Sequence, residues 1–275
     1  MPDSGEGRPE EGTPPQAPHG DRPAGPEVVR AWVRIRNRAG TTGPREARER
    51  PRAVLFDLFH TLVDVNDVPG PSSAEILGID PDSWRDTVFY KAEHHALGLV
   101  ADPVESVRRM AHSIDPSIPE ERILRAARAR PLRFRRALLQ VRPIVIETLG
   151  RLRASGLRLG LVSNASHDEV EAWAESPLVR CFDTALFSCR EGVMKPDPEM
   201  YLRAARNLSV DPGHCVFVGD GGSHEHDGAR EAGMATVLFL GLLEESLPEV
   251  AARRPRNTDW VVYSMRELAD LIELL

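Results

Sequence analysis

The residues of this chain with chemistry to offer are few and widely spaced. Asp57 ends the apolar run A-V-L-F at 53–56, and a hydroxyl, Thr61, follows four residues later. Ser163 and Asn164 come directly after L-R-L-G-L-V at 157–162. Lys195 stands in M-K-P-D-P-E-M-Y, and Asp220 and Glu225 frame the glycine-rich V-G-D-G-G-S-H-E-H. A carboxylate at such a position can act as a nucleophile or hold a hard cation. A hydroxyl beside an amide makes a donor pair for phosphate oxygens, and an ammonium is a compact point charge that offsets both. Each group also has a plainer reading. Asp57 could start a turn, Ser163 could cap a helix, Lys195 could lie on the surface, and Asp220 could belong to an Asp-Gly turn before a charged helix start. Of 35 Lys plus Arg, only Lys91 and Lys195 are lysines, so arginine clusters carry little information here and each lysine invites a reason.

Position gives these residues a common setting. Strand-like apolar runs occur at 53–57, 157–162, 184–188, 215–219, 235–239 and 260–262. Helical patterns near 144–154, 166–175, 197–207, 225–232 and 265–274 alternate with them. Such alternation predicts an α/β fold, a doubly wound parallel sheet with right-handed crossovers. Ligands bind at the carboxyl ends of strands in such sheets, and all four candidate sites fall there. Residues 66–141 break the rhythm, with helical patterns and no convincing strand. That is too long for a loop and predicts an α-helical cap inserted over the sheet edge. The expected layout is a disordered Pro/Gly/Arg-rich tail over 1–51, a core over 52–65 and 142–275, and the cap between. Within the tail, 27–38 could form a short basic amphipathic element or no structure at all.

Composition narrows the function classes. The 275 residues are 41% hydrophobic, enough for a real core. A net charge of −7 and a pI of 5.8 argue against nucleic acid and anionic membranes as partners. Cys181, Cys189 and Cys215 lack the paired spacing of a disulfide framework or a zinc site. No apolar stretch is long enough to span a bilayer, and the N-terminus is unlike a signal peptide. A cytoplasmic location is expected; oligomeric state is not legible.

Taken in order, the four strand-end segments resemble the four sequence motifs of the haloacid dehalogenase-like (HAD) superfamily over about residues 52–240, including the position of a cap. The resemblance implies a Rossmann-like core and an aspartyl nucleophile, Asp57, whose covalent intermediate is hydrolysed by water. In phosphatase-type members it implies Mg²⁺ held by Asp57, the main-chain oxygen of Phe59, Asp220 and Glu225. Glu225 has the family's five-residue spacing from Asp220, which makes Asp227 the less suitable ligand. Thr61, Ser163 and Asn164 would bind a small phosphorylated or otherwise anionic substrate. Lys195 would hold carboxylate and phosphate together and offset the charge that develops in the transfer.

Phe59 departs from that pattern. Phosphatase members most often carry a second Asp there, which protonates the leaving alkoxide, and such help is worth about 10²–10⁴ in rate. Three enzymatic readings follow. A Mg²⁺ phosphohydrolase could act on a good leaving group or recruit His60, His94 or His95. A 2-haloacid dehalogenase needs no acid and resembles this chain in having an aromatic residue there, but those enzymes lack the acidic fourth motif. A phosphonate hydrolase needs a cap lysine, and at about 100° per residue Lys91 falls within about 20° of Trp84 on the apolar face of a helix. A non-catalytic module binding a phosphorylated ligand is the fourth reading, although no key residue is lost. The His224-Glu225-His226 run could attract a transition metal or simply open a helix. Arg130, Arg133, Arg135 and Arg136 would suit an anionic substrate, and they are also what this composition produces by default.

Overall fold

The computed structural model describes residues 50–275; the expected tail, including 27–38, lies outside the described residues except at its last positions. Six parallel strands form one sheet: β1 (Ala53–Phe56), β2 (Arg158–Ser163), β3 (Thr184–Phe187), β4 (Cys215–Gly219), β5 (Ala235–Phe239) and β6 (Trp260–Val262). Their order is β3-β2-β1-β4-β5-β6. β1 is central, with Ala53 opposite both Arg158 and Cys215. All four of its residues are fully buried, as expected for a strand covered on both faces.

Alternation along the strands feeds two cores. Val54 and Phe56, with Val216 and Val218, pack with the helices Pro143–Ala154 and Met265–Leu274. Leu55 and Phe217 face the other way, toward Met200, Tyr201 and Ala204 of the helix Pro198–Leu208. The chain leaves β1 toward β2 and returns to β4 on its other side. The sheet therefore reverses direction between β1 and β4, where doubly wound sheets open a crevice.

Between β1 and β2 lie the helices Ser73–Leu77, Pro81–Asp86, Glu93–Ala96, Pro103–Ile114 and Glu120–Leu139. Asp80-Pro81 and Asp102-Pro103 start two of them, each Asp accepting from a main-chain N–H of the first turn. This segment buries its own apolar cluster, including Leu77, Trp84, Val107, Met110 and Ile123. It rests on the sheet through specific contacts. Ser188 Oγ donates to Ala96 O (2.6 Å), Ser176 Oγ donates to Leu138 O (2.7 Å), and Arg130 pairs with Glu169.

Two local expectations are corrected. Residues 166–175 form no α-helix, but a turn followed by the 3₁₀ segment Glu171–Glu175. The Glu169 carboxylate accepts from Ser166 N (2.8 Å) and is drawn to the distant Arg130, and Pro177 follows soon after. The single helix expected around Lys91 is also broken, by a π-turn at Thr87–Lys91 and by Ala92 at φ −108°, ψ 48°. The wider turn rotates Lys91 off the apolar face. It is exposed, while Trp84 and His95 are buried.

Candidate active site

The C-terminal ends of β1 to β4 bring the predicted side chains together. Asp57, Thr61, Ser163, Lys195, Asp220 and Glu225 are all between 0 and 6% exposed. Asp57 continues the β1 ladder by one bond, its N–H donating to Val218 O at 2.9 Å. The chain then turns sharply, Leu62 N and Val63 N both donating to Leu58 O, which returns the Thr61 hydroxyl to donate to Asp57 Oδ2 at 3.2 Å.

Lys195 Nζ donates to Asp57 Oδ1 and to Glu225 Oε2, the latter at 2.7 Å. Its ammonium also lies 5.5 Å from the centroid of the Phe217 ring. The loop carrying it is pinned by Asn164, which donates from Nδ2 to Lys195 O and accepts from Lys195 N, both at 2.8 Å. The Asn164 amide is thus directed at the lysine backbone. Ser163 ends β2 fully buried, and its Oγ has no hydrogen-bond partner among the described residues.

The glycine-rich turn after β4 holds the two remaining acids. Gly222 N donates to Asp220 Oδ1 (3.1 Å), and Gly221 N to Glu225 Oε1 (2.8 Å). Glycine is required at two neighbouring positions by close approach. A Cβ on Gly219 would stand 2.2 Å from Glu225 Oε1, and one on Gly228 would stand 1.9 Å from Pro196 O. The helix Glu225–Glu231 can therefore seat against the Lys195 loop only because residue 228 has no side chain.

Ligand atoms of Asp57, Asp220 and Glu225 lie within 4.8 Å of one another. Burial raises the carboxyl of Asp57; Lys195 opposes this and Asp220 adds to it. Burial likewise pushes Glu225 up to about 8, against the pull of Lys195. Asp220 is net lowered: burial would raise it, but the Arg254 guanidinium and His60 reverse the sign. Three buried carboxylates so close together favour a cation between them. Hard oxygen donors converging from three elements suit Mg²⁺, which takes one or two carboxylates and keeps waters and phosphate oxygens.

Phe59 turns away from these acids. Its ring meets Phe134 of the inserted helix edge-on, with centroids 5.0 Å apart and an interplanar angle of 85°. The Arg130 guanidinium lies over the Phe134 ring, 4.8 Å from its centroid. The three candidate histidines separate. His60, at φ 62°, lies 3.4 Å from Asp64 Oδ1. His95 is bonded to Ser106 Oγ (2.6 Å) and lies beside Arg130 and Glu169 in the joint between insertion and core. His94 is half-buried, and burial lowers its imidazole.

The His224–His226 run does not converge on a metal. His226 is buried, its Nε2 3.0 Å from Val237 O and its ring edge-on to Phe217, and burial holds it down to about 4. His224 is exposed beside Asp227. The arginines expected to form an anion-binding face are dispersed. Arg130 is buried on Glu169, Arg133 and Arg136 donate to the carbonyls of Gly70 and Pro69, and Arg135 pairs with Glu175 at the surface.

Sequence reasoning missed Arg254, whose Nη2 donates to Asp220 Oδ2. It also missed Tyr201, whose hydroxyl donates to Glu225 O at 2.6 Å. Tyr201 lies on the apolar face of its helix, a hint available in the sequence; Arg254 stands in R-R-P-R, where nothing marks one arginine from the next.

A family model for haloacid dehalogenase-like hydrolases matches residues 51–233. The glyceraldehyde 3-phosphate phosphatase of Methanopyrus kandleri is 33% identical over 82% of this chain and 98% of its own length. That of Methanocaldococcus jannaschii is 24% identical over the same shares. Among solved structures, the L-2-haloacid dehalogenase of Xanthobacter autotrophicus superposes with a TM-score of 0.58 at 21% identity, over 81% of this chain and 98% of that one, a likeness of fold.

Proposed function

The chain belongs to the haloacid dehalogenase-like hydrolase family, and from that premise we propose that it hydrolyses a small phosphate ester with Mg²⁺ as cofactor. The observation that carries this reading is the buried cluster of Asp57, Asp220 and Glu225. A relative covering nearly its whole length is a phosphatase of glyceraldehyde 3-phosphate, which supports the phosphate-ester class.

In this reading an oxygen of Asp57 attacks phosphorus, the bond to the leaving oxygen breaks, and an aspartyl phosphate forms. Water then cleaves that acyl phosphate, releasing phosphate and regenerating the carboxylate. Asp57, the Phe59 main-chain oxygen, Asp220 and Glu225 would hold Mg²⁺, which when bound neutralises and orients the phosphate oxygens. Lys195 keeps Asp57 ionised and faces the charge of the transferring group. Ser163 supplies a hydroxyl that no group among the described residues uses, and Thr61 orients Asp57. Asn164 acts by fixing the Lys195 loop.

Residues 66–141 serve as the cap that screens the reacting centre, and Phe59 is its docking point through Phe134. Phe59 carries no proton, so the leaving group departs as a stable anion or is protonated by a neighbouring histidine such as His60. A pH–rate profile unchanged in His60→Ala, His94→Ala and His95→Ala would remove the histidine route. The buried, unpaired cysteines suit a reducing aqueous compartment, the cytoplasm. Among the described residues no helix is long and apolar enough to cross a membrane.

The dehalogenase reading draws on Phe59 and on a likeness of fold. It places a carboxylate substrate beside three buried acids that face two cations, Lys195 and Arg254, which is electrostatically unfavourable. The phosphonate reading loses its lysine, since Lys91 is exposed. A panel of sugar, aryl and acyl phosphates, 2-chloropropionate and phosphonoacetaldehyde, run with Mg²⁺ and with EDTA, separates the three, with Asp57→Asn as blank. Phosphate release that needs Mg²⁺ is expected. Halide release indifferent to EDTA would overturn the reading.

A further inference from the structure

Arg254 is a charged group at the site that neither the sequence motifs nor the proposed chemistry absorbs. It follows the helix Pro248–Arg253, far along the chain from the turn it reaches. Its side chain is 9% exposed, it lies across Gly221 and Gly222, and its Nη2 donates to Asp220 Oδ2. With it, every carboxylate oxygen of the cluster has a donor. Asp57 has Lys195 and Thr61, Glu225 has Lys195 and Gly221, and Asp220 has Arg254 and Gly222. Three buried acids thus face two buried cations.

A guanidinium cannot give up its proton in a protein, so its charge stays at the site under all conditions. Lys195 has a second task beside the phosphate. Arg254 points instead at a carboxylate that the proposed cofactor also needs. A divalent cation arriving among these acids is repelled by Arg254 and must share Asp220 with it.

We infer that Arg254 is an internal counter-ion that competes with the divalent cation for Asp220, holding the metal-free site together and lowering its cation affinity. The inference rests on the reading that this site takes such a cation. It makes Arg254 a positioning residue, not a catalytic one, and ties occupancy to the free cation level. Without Arg254, Asp220 in the metal-free protein loses its guanidinium counter-charge, and a bound metal restores one. Both effects, less repulsion and a less stable metal-free state, move affinity the same way.

The test is titration of Mg²⁺, and of Mn²⁺, into the wild type, Arg254→Met and Arg254→Lys by calorimetry, with melting curves in EDTA and in saturating metal. Arg254→Met is expected to bind the cation about tenfold or more tightly. Its melting temperature should fall in EDTA and recover in saturating metal. Arg254→Lys keeps the charge and should stay within about threefold of wild type. Arg254→Met binding no tighter than wild type would overturn the inference. So would its failure to fold even in saturating metal while Arg254→Lys folds, because Arg254 would then be a structural residue. A wild type that gives no isotherm with either ion would overturn the cofactor reading, and this inference with it; a wild-type isotherm with unmoved variants would overturn the inference alone.

Discussion

The Ser163 hydroxyl is fully buried without a partner among the described residues, a state that costs about 1–3 kcal/mol. Ser163→Ala should therefore melt no lower than wild type, yet lose about 10²-fold in kcat if the hydroxyl binds the transferring phosphate. Lys195 is the reverse case, because Lys195→Met strands Asp57 and Glu225 as buried like charges. That should cost about 3–5 kcal/mol in the metal-free protein, and turnover with it. Paired melting curves and steady-state kinetics on the two variants check both; a Ser163→Ala enzyme with unchanged kcat would contradict the assignment. Asp57 and Asp220 were legible in the sequence because each stands where an apolar strand stops, and parallel sheets place those ends together. Lys195 stood out through the scarcity of lysine, and Glu225 through the spacing of the family it resembles. Arg254 and the buried Arg130 were illegible because a chain so rich in arginine and so poor in lysine hides its structural arginines among solvated ones.

At the scale of elements, the helix Glu225–Glu231 and the Lys195 loop meet through the gap left at Gly228. Gly228→Ala places a methyl group into the Pro196 carbonyl, and backbone must move. A loss of about 1–3 kcal/mol is expected from the overpacking. The Lys195 loop moves with Pro196, so kcat should fall in proportion greater than KM rises. Melting curves and the separate kinetic constants test this, and an active, undiminished Gly228→Ala enzyme would refute the contact. Strands β4, β5 and β6 match their sequence reading to the residue, because each is a short run rich in β-branched and aromatic residues, too short for a helix. Residues 166–175 misled because Glu169 is bound by Arg130, a partner distant in sequence that no local pattern names. The π-turn before Ala92 has no periodic signature, so the face of Lys91 could not be read from helical angles.

Across the whole molecule, the joint between insertion and sheet is electrostatic as well as aromatic. Burial alone would raise the Glu169 carboxyl, but Arg130 and His95 bring it down to about 2 from 4.5. The folded state thus binds that proton less readily than the unfolded chain. The stabilisation is complete above about 4.5 and is lost as pH falls through about 2, a change of about 3 kcal/mol. Urea unfolding of wild type and Glu169→Gln should show a gap at neutral pH that closes on acidification; a gap independent of pH would contradict the pairing. The same joint presses Phe134 onto Phe59, two residues past the proposed nucleophile, so the inserted segment bears directly on the turn that shapes the site. The parallel, doubly wound sheet and the helical segment over 66–141 were legible from alternation and its interruption; the strand order was not. The contacts that join them were not, because they pair residues whose partners the sequence does not name.

The central claim is that Asp57 accepts a phosphoryl group. Acid-quenching the enzyme during turnover of an aryl or acyl phosphate in Mg²⁺, followed by peptide mass spectrometry, tests it most directly. The account predicts a phosphoryl adduct on the peptide containing Asp57, absent in EDTA and absent in Asp57→Asn. Sustained phosphate release by Asp57→Asn at the wild-type rate, with no adduct in either protein, would contradict it.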